Sequence, residues 1–273
     1  MQKTDIYDSS KTKGVAIEEL KGILNFKDLL VQLIRRNIIT RYKRSTLGIF
    51  WTMLNPLGTM IILSIVFSRV FDFKGFYPAF IITNLVTWNF FSQTTQFSLN
   101  TTLWGSDLFQ RIYMPRTLFV ISMNGAGIVN LILALVPLAI IYLATNVPLS
   151  SSLILFPFAV LLIAFFTLGV SLLISAMVIF FPDVAELYPV LLQAMFYISP
   201  IIFPDTVLQD FVGGWVLKLN PFYYILKVIQ MTLFEGLYPS LAQWLTALAV
   251  SLFSLVLGWI VFTANVKNFQ YYT

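Results

Sequence analysis

Four amide side chains recur along one apolar stretch and form the clearest polar pattern in the sequence. Asn89, Gln93, Gln96 and Asn100 are separated by four, three and four residues, which places them on one face of a helix. Amides in an apolar setting must find hydrogen-bond partners. The stripe therefore either bonds to neighbouring helices or lines a path for a ligand rich in hydroxyl groups, such as a sugar. Its spacing is compatible with both.

Aromatic side chains close to prolines form a second group that could contact a ligand. Trp51 lies shortly before Pro56, and Tyr197 lies shortly before Pro200. A proline within a helix frees backbone carbonyls and bends the helix, which leaves room for a cavity. Apolar sugar faces pack on aromatic rings, and packing within a helix bundle is the alternative for each ring. The predicted pathway residues are Trp51, Asn55, Trp88, Asn89, Gln93, Gln96, Asn100, Phe196 and Tyr197.

Few residues could perform catalysis. The chain has no Cys and no His, which excludes a disulfide, a thiolate nucleophile, a histidine base and a Cys or His metal site. The acid pairs Asp183 with Glu186 and Asp205 with Asp210 fit charges at helix N-termini better than catalytic carboxylates. An integral-membrane enzyme is therefore the weaker alternative.

The sequence also lacks an energy source of its own. No G-x-x-x-x-G-K-[ST] phosphate loop occurs, and no Gly is followed by Lys. The predicted spans carry no ionisable residue of the kind that ion- or proton-coupled carriers use. We therefore predict no cofactor in this chain, and ATP and Mg²⁺ on a separate partner ATPase.

The elements that hold these residues must lie in a membrane. Residues 117–182 are 66 consecutive positions without Lys, Arg, Asp or Glu, and 58% of the chain is hydrophobic. A helix needs about 20 apolar residues to cross a bilayer. Charge-free windows predict an all-α protein with six spans, at 45–68, 75–106, about 118–144, about 152–181, 187–204 and about 241–261.

The remaining segments are predicted from their charge and periodicity. Residues 23–44 form an amphipathic helix in the plane of the lipid headgroups. Its cations, placed against anionic lipid, are Lys27, Arg35, Arg36, Arg41, Lys43 and Arg44. Residues 205–235 contain external helices that dip into or re-enter the membrane. Ten of the 17 Lys and Arg precede residue 48, which predicts cytoplasmic N- and C-termini. The first 21 residues show no signal peptide. The predicted divisions are 1–47 cytoplasmic, 48–265 transmembrane and 266–273 a cytoplasmic tail.

Four stretches of the sequence together carry a family resemblance. They are Arg41–Pro56, Tyr77–Pro78 with Trp88–Gln93, Leu108–Arg116, and Phe180–Asp183 through Tyr197–Pro204 with Leu219–Pro221. These stretches resemble the permease subunits of bacterial ABC exporters for surface polysaccharides, the type 2 ABC permease family, which carry O-antigen, capsule or teichoic acid. Two departures from the family pattern are Met114, where Phe is usual, and Pro182, where Arg often precedes the Asp.

The resemblance implies a homodimer of six-span subunits with two copies of a cytoplasmic ATPase. It also implies a cytoplasmic coupling helix at Leu108–Arg116 and re-entrant external helices between spans five and six. Residues expected to contact the ATPase are Asp107, Leu108, Phe109, Arg111, Ile112, Tyr113 and Arg116, with Asp183 and Glu186 as a second contact.

We therefore predict the permease of an ATP-driven exporter of a lipid-linked surface polysaccharide in the cytoplasmic membrane, with an aromatic-lined channel. The alternatives are the permease of a drug- or lipid-exporting ABC system, a flippase outside the ABC class, and a membrane enzyme. The sequence does not favour any one glycan.

Overall fold

The described part of the chain is entirely helical apart from its turns. The computed structural model describes residues 19–20, 22–23, 25–43, 45–67, 76–104, 115–148 and 150–265. The α-helices are α1 (Lys27–Tyr42), α2 (Trp51–Phe67), α3 (Tyr77–Trp104), α4 (Thr117–Thr145), α5 (Phe156–Phe180), α6 (Val184–Ile198), α7 (Asp205–Val212), α8 (Gly214–Leu219), α9 (Pro221–Leu233) and α10 (Leu241–Asn265). The prediction of an all-α protein is confirmed for these residues.

Four of the described helices are long and apolar enough to cross a membrane. They contain α2, α4, α5 and α10 and span Gly48–Phe67, Thr117–Thr145, Ser151–Phe180 and Leu241–Asn265. These correspond to the predicted first, third, fourth and sixth spans. The coarser prediction, a protein with several membrane-spanning helices, therefore agrees with the structure.

The predicted second and fifth spans have a different character. Helix α3 has 28 residues but carries polar side chains along its length, and α6 is apolar but has only 15 residues. Most of α3 between Tyr77 and Leu99 is buried by other helices, so most of the polar groups in this range face protein rather than lipid. Helix α6 ends at Ile198, six residues before the predicted limit, and the chain turns at Ser199 and Pro200.

The local sequence explains where the chain turns between α4 and α5 within the charge-free stretch. Asn146 adopts a left-handed conformation with φ 53°, and its N–H bonds to the carbonyls of Leu143 and Tyr142, as a helix C-cap requires. A short 3₁₀ turn over Ser151–Leu155 follows, and Pro157 stands in the first turn of α5. Proline is well suited to that position because it has no N–H to leave unpaired.

Helix α3 is the centre of the bundle. It packs against α2, α4, α5, α6 and α9, while α5 and α10 form the most extensive helix pair. Helix α2 lies at the periphery, and only Pro56 and Met60 of its residues are buried. The bundle thus encloses one polar helix and presents apolar helices outward.

Candidate functional site

A cavity of about 460 Å³ lies between α1, α2, α3 and α4. Its walls combine amides and hydroxyls with aliphatic and aromatic side chains. Helix α1 contributes one wall because Leu33, Arg36, Asn37, Thr40 and Arg41 recur at helical spacing on one face. Such a mixed lining suits an amphipathic ligand.

Four of the nine predicted pathway residues line this cavity. They are Trp51 and Asn55 at the start of α2, and Asn89 and Gln93 on α3. Trp51 is 51% exposed and lies at the cavity edge. The structure thus brings together the aromatic residue near Pro56 and the first half of the amide stripe.

The second half of the amide stripe lies beyond the cavity. Gln96 is half-buried and Asn100 is exposed, and neither contributes to the cavity wall. Gln93 makes a specific interhelical bond, because its Oε1 accepts from Arg41 Nη2 at 2.6 Å. The two alternatives left open by the sequence therefore meet at one residue: Gln93 both bonds to a neighbouring helix and lines a cavity.

The arginine in this contact is held from two sides. The guanidinium carbon of Arg41 lies 4.6 Å from the centre of the Phe97 ring, a cation–π distance. Sequence analysis assigned Arg41 to the lipid headgroups together with the other cations of α1. Arg41 instead bonds at the cavity to Gln93, which lies 52 positions further along the chain. The spacing of residues within α1 could not reveal this contact.

Helix α1 is attached to the first turns of α4. Leu33 packs with Leu118 and Phe119 in a small apolar cluster, and Asn37 Nδ2 donates to Ser122 Oγ at 3.1 Å. The close approach continues at Gly125, where an added Cβ would meet the Ile34 side chain. These contacts hold the α1 wall of the cavity against the bundle.

The other predicted pathway aromatics lie elsewhere. Trp88 is 7% exposed and packs against Phe91, Phe196 and Phe222. Phe196 also meets Tyr197 edge-on, and the Tyr197 side chain is 54% exposed. Trp88 and Phe196 therefore contribute to an interior aromatic cluster, whereas Tyr197 lies on the outer surface of this subunit. Neither group lines the cavity.

Most of the predicted coupling segment lies outside the described residues. This applies to Asp107, Leu108, Phe109, Arg111, Ile112 and Tyr113. The last member, Arg116, is half-buried at the N-cap of α4. Burial lowers the pKa of its guanidinium from the ordinary value, and the nearby carboxylate of Glu19 opposes that change.

Glu19 is a contact at this point that sequence analysis missed. Thr117 Oγ1 donates to Glu19 Oε2 at 2.7 Å, across 98 positions of sequence. Burial raises the pKa of the Glu19 carboxyl, although hydrogen bonds from Thr117 and Arg116 oppose the rise. A negative charge there interacts favourably with the positive end of the α4 dipole, and the hydrogen bond connects Glu19 to the end of the predicted coupling segment.

The predicted second ATPase contact is accessible. Asp183 is the N-cap of α6, Glu186 lies in its first turn, and both are exposed. This confirms their assignment as charges at a helix N-terminus. Their role toward an ATPase stays a prediction.

Of the other predicted acid pair, Asp205 takes part in a cluster around one lysine. Lys227 Nζ lies 3.0 Å from Asp205 Oδ2 and 2.8 Å from Glu235 Oε1. These contacts join α9 to the start of α7 and to the turn that follows α9. Burial alone would lower the pKa of Lys227, but hydrogen bonds and charges from Glu235 and then Asp205 outweigh it and leave that pKa raised. Asp210 is exposed. Across the described residues, no group of three or more acids could hold a metal ion.

A buried polar network was also missed by sequence analysis. Gln230 Nε2 donates to Asn84 Oδ1 and to the Pro200 carbonyl, both at 2.9 Å. Asn84 Nδ2 donates in turn to the Ile201 carbonyl at 3.1 Å. The turn after α6 is thus bonded to α3 and α9.

Comparison with known proteins gives a consistent result. Residues 28–234 match the family described as "ABC-2 type transporter". The O-antigen export system permease protein RfbA of Myxococcus xanthus is 27% identical over 246 residues, which cover 89% of this chain and 93% of that protein. A protein of the same name from Klebsiella pneumoniae is 29% identical over 199 residues, 71% of this chain and 75% of that protein.

Proposed function

This chain belongs to the ABC-2 type transporter family, and from that premise we propose that it is the permease subunit of an exporter of a lipid-linked surface polysaccharide. The cytoplasmic (inner) membrane is its proposed location, and ATP drives the export. The observation that carries the proposal is that two similar proteins are named O-antigen export permeases and align over most of this chain. The four stretches that resemble polysaccharide permeases support the same substrate class.

The cavity supports transport of an amphipathic molecule. Asn55, Asn89 and Gln93 offer hydrogen bonds to hydroxyl groups, while Trp51 and Phe90 offer rings and apolar surface. With the N-terminus cytoplasmic, the start of α2 and the C-terminal half of α3 belong to the cytoplasmic half of the membrane. The cavity is then where a lipid-linked glycan enters from the cytoplasmic leaflet.

The full topology completes this proposal. Helices α3 and α6 join the four apolar helices to give six spans, with α7, α8 and α9 outside the membrane or re-entrant from that side. Helix α3 can span despite its polarity because protein rather than lipid surrounds most of it. Helix α6 covers about 22 Å of a hydrocarbon core of about 30 Å, and the buried turn after it completes the distance.

A homodimer supplies the rest of the pathway. Large apolar side chains are exposed on α2, including Ile62 and Ile65, and on α6, including Val190. We assign part of this surface to a second copy of the chain. Trp51 and Tyr197, both exposed in one subunit, then face a path between the two subunits, as the aromatic-lined channel requires.

Energy comes from two copies of a cytoplasmic ATPase that bind ATP and Mg²⁺. Leu108–Arg116 would insert into that partner, and Asp183 and Glu186 would make the second contact. The Glu19 contact at Arg116 and Thr117 supports a mechanical route from this segment to α1, because α1 packs on the same end of α4.

Deletion of the gene in its bacterium tests the substrate class. We expect lipid-linked polysaccharide to accumulate inside the cells and to disappear from their surface, because polymer synthesis continues while export stops. Immunoblotting of surface-labelled and lysed cells measures both pools, and re-expression of the chain is the control. Normal surface polysaccharide in the deletion strain, with altered drug resistance or phospholipid distribution instead, would contradict the proposal and favour a drug or lipid exporter.

A further inference from the structure

We propose that a groove between α4 and α5 binds one acyl chain of a bilayer phospholipid, which serves as a structural lipid of this protein. This α4–α5 groove is a cavity of about 520 Å³ that shares no lining residue with the cavity beside α1. The proposal goes beyond the proposed function, because it concerns a lipid of the surrounding membrane and applies whatever substrate the protein carries.

The first observation is the shape of the α4–α5 groove. One wall is a single helical face, since its residues alternate at spacings of three and one. From Leu135 to Asn146 this face extends about 16 Å along the helix axis. That length is close to half of a hydrocarbon core of about 30 Å, so it fits an acyl chain of one leaflet. The residues on this wall are Leu135, Leu138, Ala139, Tyr142, Leu143 and Asn146.

The second observation is the chemistry of the lining. None of the described residues that line the groove is charged, and apart from Tyr142 and Asn146 all carry hydrocarbon side chains. The Tyr142 hydroxyl is already hydrogen-bonded to Thr83 Oγ1 at 2.6 Å, and Asn146 is exposed at one end of the groove. Water inside would lack the polar partners that hold a buried water. A hydrocarbon chain makes dispersion contacts there that a void would forfeit.

The third observation is that the groove is open toward lipid. Leu138 and Leu233 are 5% and 7% exposed and form its floor, whereas Leu143 is 71% exposed at its rim. Leu153 and Phe156, from the 3₁₀ turn and the start of α5, form the second wall. Both walls belong to helices that are long and apolar enough to cross a membrane. The medium at the rim is therefore the bilayer, and its acyl chains can enter from the side.

The position of the groove along α4 assigns the acyl chain to one leaflet. Helix α1, which its cations place at the headgroups, packs on α4 at Ser122 and Gly125. The part of α4 that follows, residues 126–145, extends about 30 Å, which is the thickness of the hydrocarbon core. The groove starts at Leu135 and thus lies in the half of the core remote from α1. In the proposed topology this is the outer leaflet.

A chain in the groove would also support the external helices. Leu233, on the floor of the groove, is the last residue of α9. Next to it, the Thr232 carbonyl accepts a hydrogen bond from Ser152 Oγ in the 3₁₀ turn at 2.9 Å. The end of α9 is thus held beside the groove. Because packing between side chains and chains of lipid adds van der Waals contacts among α4, α5 and α9, loss of the lipid should destabilise the protein.

Photo-cross-linking tests the groove on the full chain, with any ATPase that co-purifies, in nanodiscs of phosphatidylcholine. The probe is phosphatidylcholine with a diazirine either near the carbonyl or near the end of one acyl chain. We expect the first label to react at Leu143 and Asn146 and the second at Leu135 and Leu138, as read by peptide mass spectrometry. Phe253, which is 70% exposed on α10, reports ordinary contact with the bilayer. Yields in the groove no higher than at Phe253 would overturn the proposal.

Variants then assign the cross-links to the groove. Ala139→Phe places a ring across the groove near its middle and should abolish the excess of cross-linking over that at Phe253. Ala144→Phe makes the same change at an exposed position of α4 outside the groove and should preserve that excess. An equal effect of the two variants would show that the groove does not hold the chain. Leu143→Trp, at the exposed rim, gives a second reading should Ala139→Phe fail to fold.

The unfolding temperature gives a readout that needs no chemical label. Added phosphatidylcholine should raise the unfolding temperature of the delipidated protein and of Ala144→Phe, because the chain fills the groove in both. The same addition should raise it less for Ala139→Phe. An equal rise for all three proteins would contradict a structural lipid at this place.

Two further comparisons test other sources of binding. Phosphatidylglycerol with the same labelled chain should cross-link as well as phosphatidylcholine, since none of the described lining residues is charged; a strong preference for it would mean that a headgroup site holds the lipid, against the proposal. The chain has no Cys, so oxidation of Leu143→Cys tests whether a second copy covers the rim. A covalent dimer would overturn the lipid assignment, and a monomer supports it. Failure of the groove would leave the proposed export function as it stands.

Discussion

The amide of Gln230 joins three parts of the chain that are far apart in sequence. It lies on α9, is 3% exposed, and bonds to Asn84 on α3 and to the carbonyl of Pro200 in the turn after α6. Tyr77 OH adds a bond to the Ile202 carbonyl at 3.1 Å in the same turn. A non-helical turn can be buried here because side chains satisfy its carbonyls.

Replacement of Gln230 by Leu tests this network. The change keeps the approximate size of the side chain but leaves Asn84 Oδ1 and the Pro200 carbonyl without their donor, which should cost about 1–3 kcal/mol. Thermal unfolding in detergent should show a lower midpoint for Gln230→Leu. Gln209→Leu, the same change at an exposed position of α7, is the control, and equal midpoints for the two variants would contradict the role given to Gln230.

Some individual residues of the cavity could be predicted from the sequence. Asn89 and Gln93 could be predicted because helical periodicity alone places the amide stripe on one face of α3. Trp51 was predicted from its nearness to Pro56. Asn84 and Gln230 were missed because their pairing spans 146 positions, and no local pattern encodes such a contact. Arg41 was predicted as a headgroup cation for the same reason, since its partner Gln93 lies on another helix.

The pairing of α5 with α10 depends on two glycines. A Cβ on Gly258 would overlap the carbonyl oxygen of Gly169, and a Cβ on Gly169 would overlap the backbone at Ser254. The hydroxyl of Ser254 donates to the Phe166 carbonyl at 3.2 Å along the same contact. Small residues let membrane helices approach closely, and the gain is van der Waals packing between backbones.

Alanine substitution separates this packing from the effect of glycine on the helix itself. Gly258→Ala should destabilise the protein by about 1–3 kcal/mol because the two helices must move apart. Gly58→Ala in α2 introduces the same Cβ where no atom lies within 4 Å, so it should be neutral or stabilising, since Ala favours a helix. Fluorescence-detected gel filtration after heating measures both, and similar heat resistance of the two variants would disprove the packing role.

Most of the helices could be predicted from charge and hydrophobicity, because lipid excludes ionisable groups from long apolar segments. The boundaries of α4 and α5 follow the sequence closely, since Asn146, Pro157 and Pro182 carry the local signals for helix ends. The burial of α3 and the early end of α6 could not be predicted in this way. Both depend on neighbouring helices. Polar side chains are tolerated on α3 because other helices surround it. The turn at Pro200 is stable because Gln230 donates a hydrogen bond to the Pro200 carbonyl.

The molecule as a whole presents apolar helices around a polar centre and lacks a recognisable ATPase motif. Its cavity lies at the helix ends that the distribution of basic residues assigns to the cytoplasm, where α1 packs on α4 beside Arg116. A change at the proposed coupling segment would thus reach the cavity through α4 and α1. The central claim is that ATP hydrolysis by a partner drives export of a lipid-linked glycan through this chain.

Reconstituted transport tests that claim most directly. The chain and its co-purified ATPase are placed in liposomes with a lipid-linked glycan, and a membrane-impermeant glycosidase measures how much glycan has crossed to the other leaflet. We predict crossing that requires ATP, stops with a non-hydrolysable analogue, and is lost in the Ile112→Asp, Tyr113→Asp double variant, which should no longer retain the ATPase. Equal crossing without ATP, or with the double variant free of ATPase, would contradict the account.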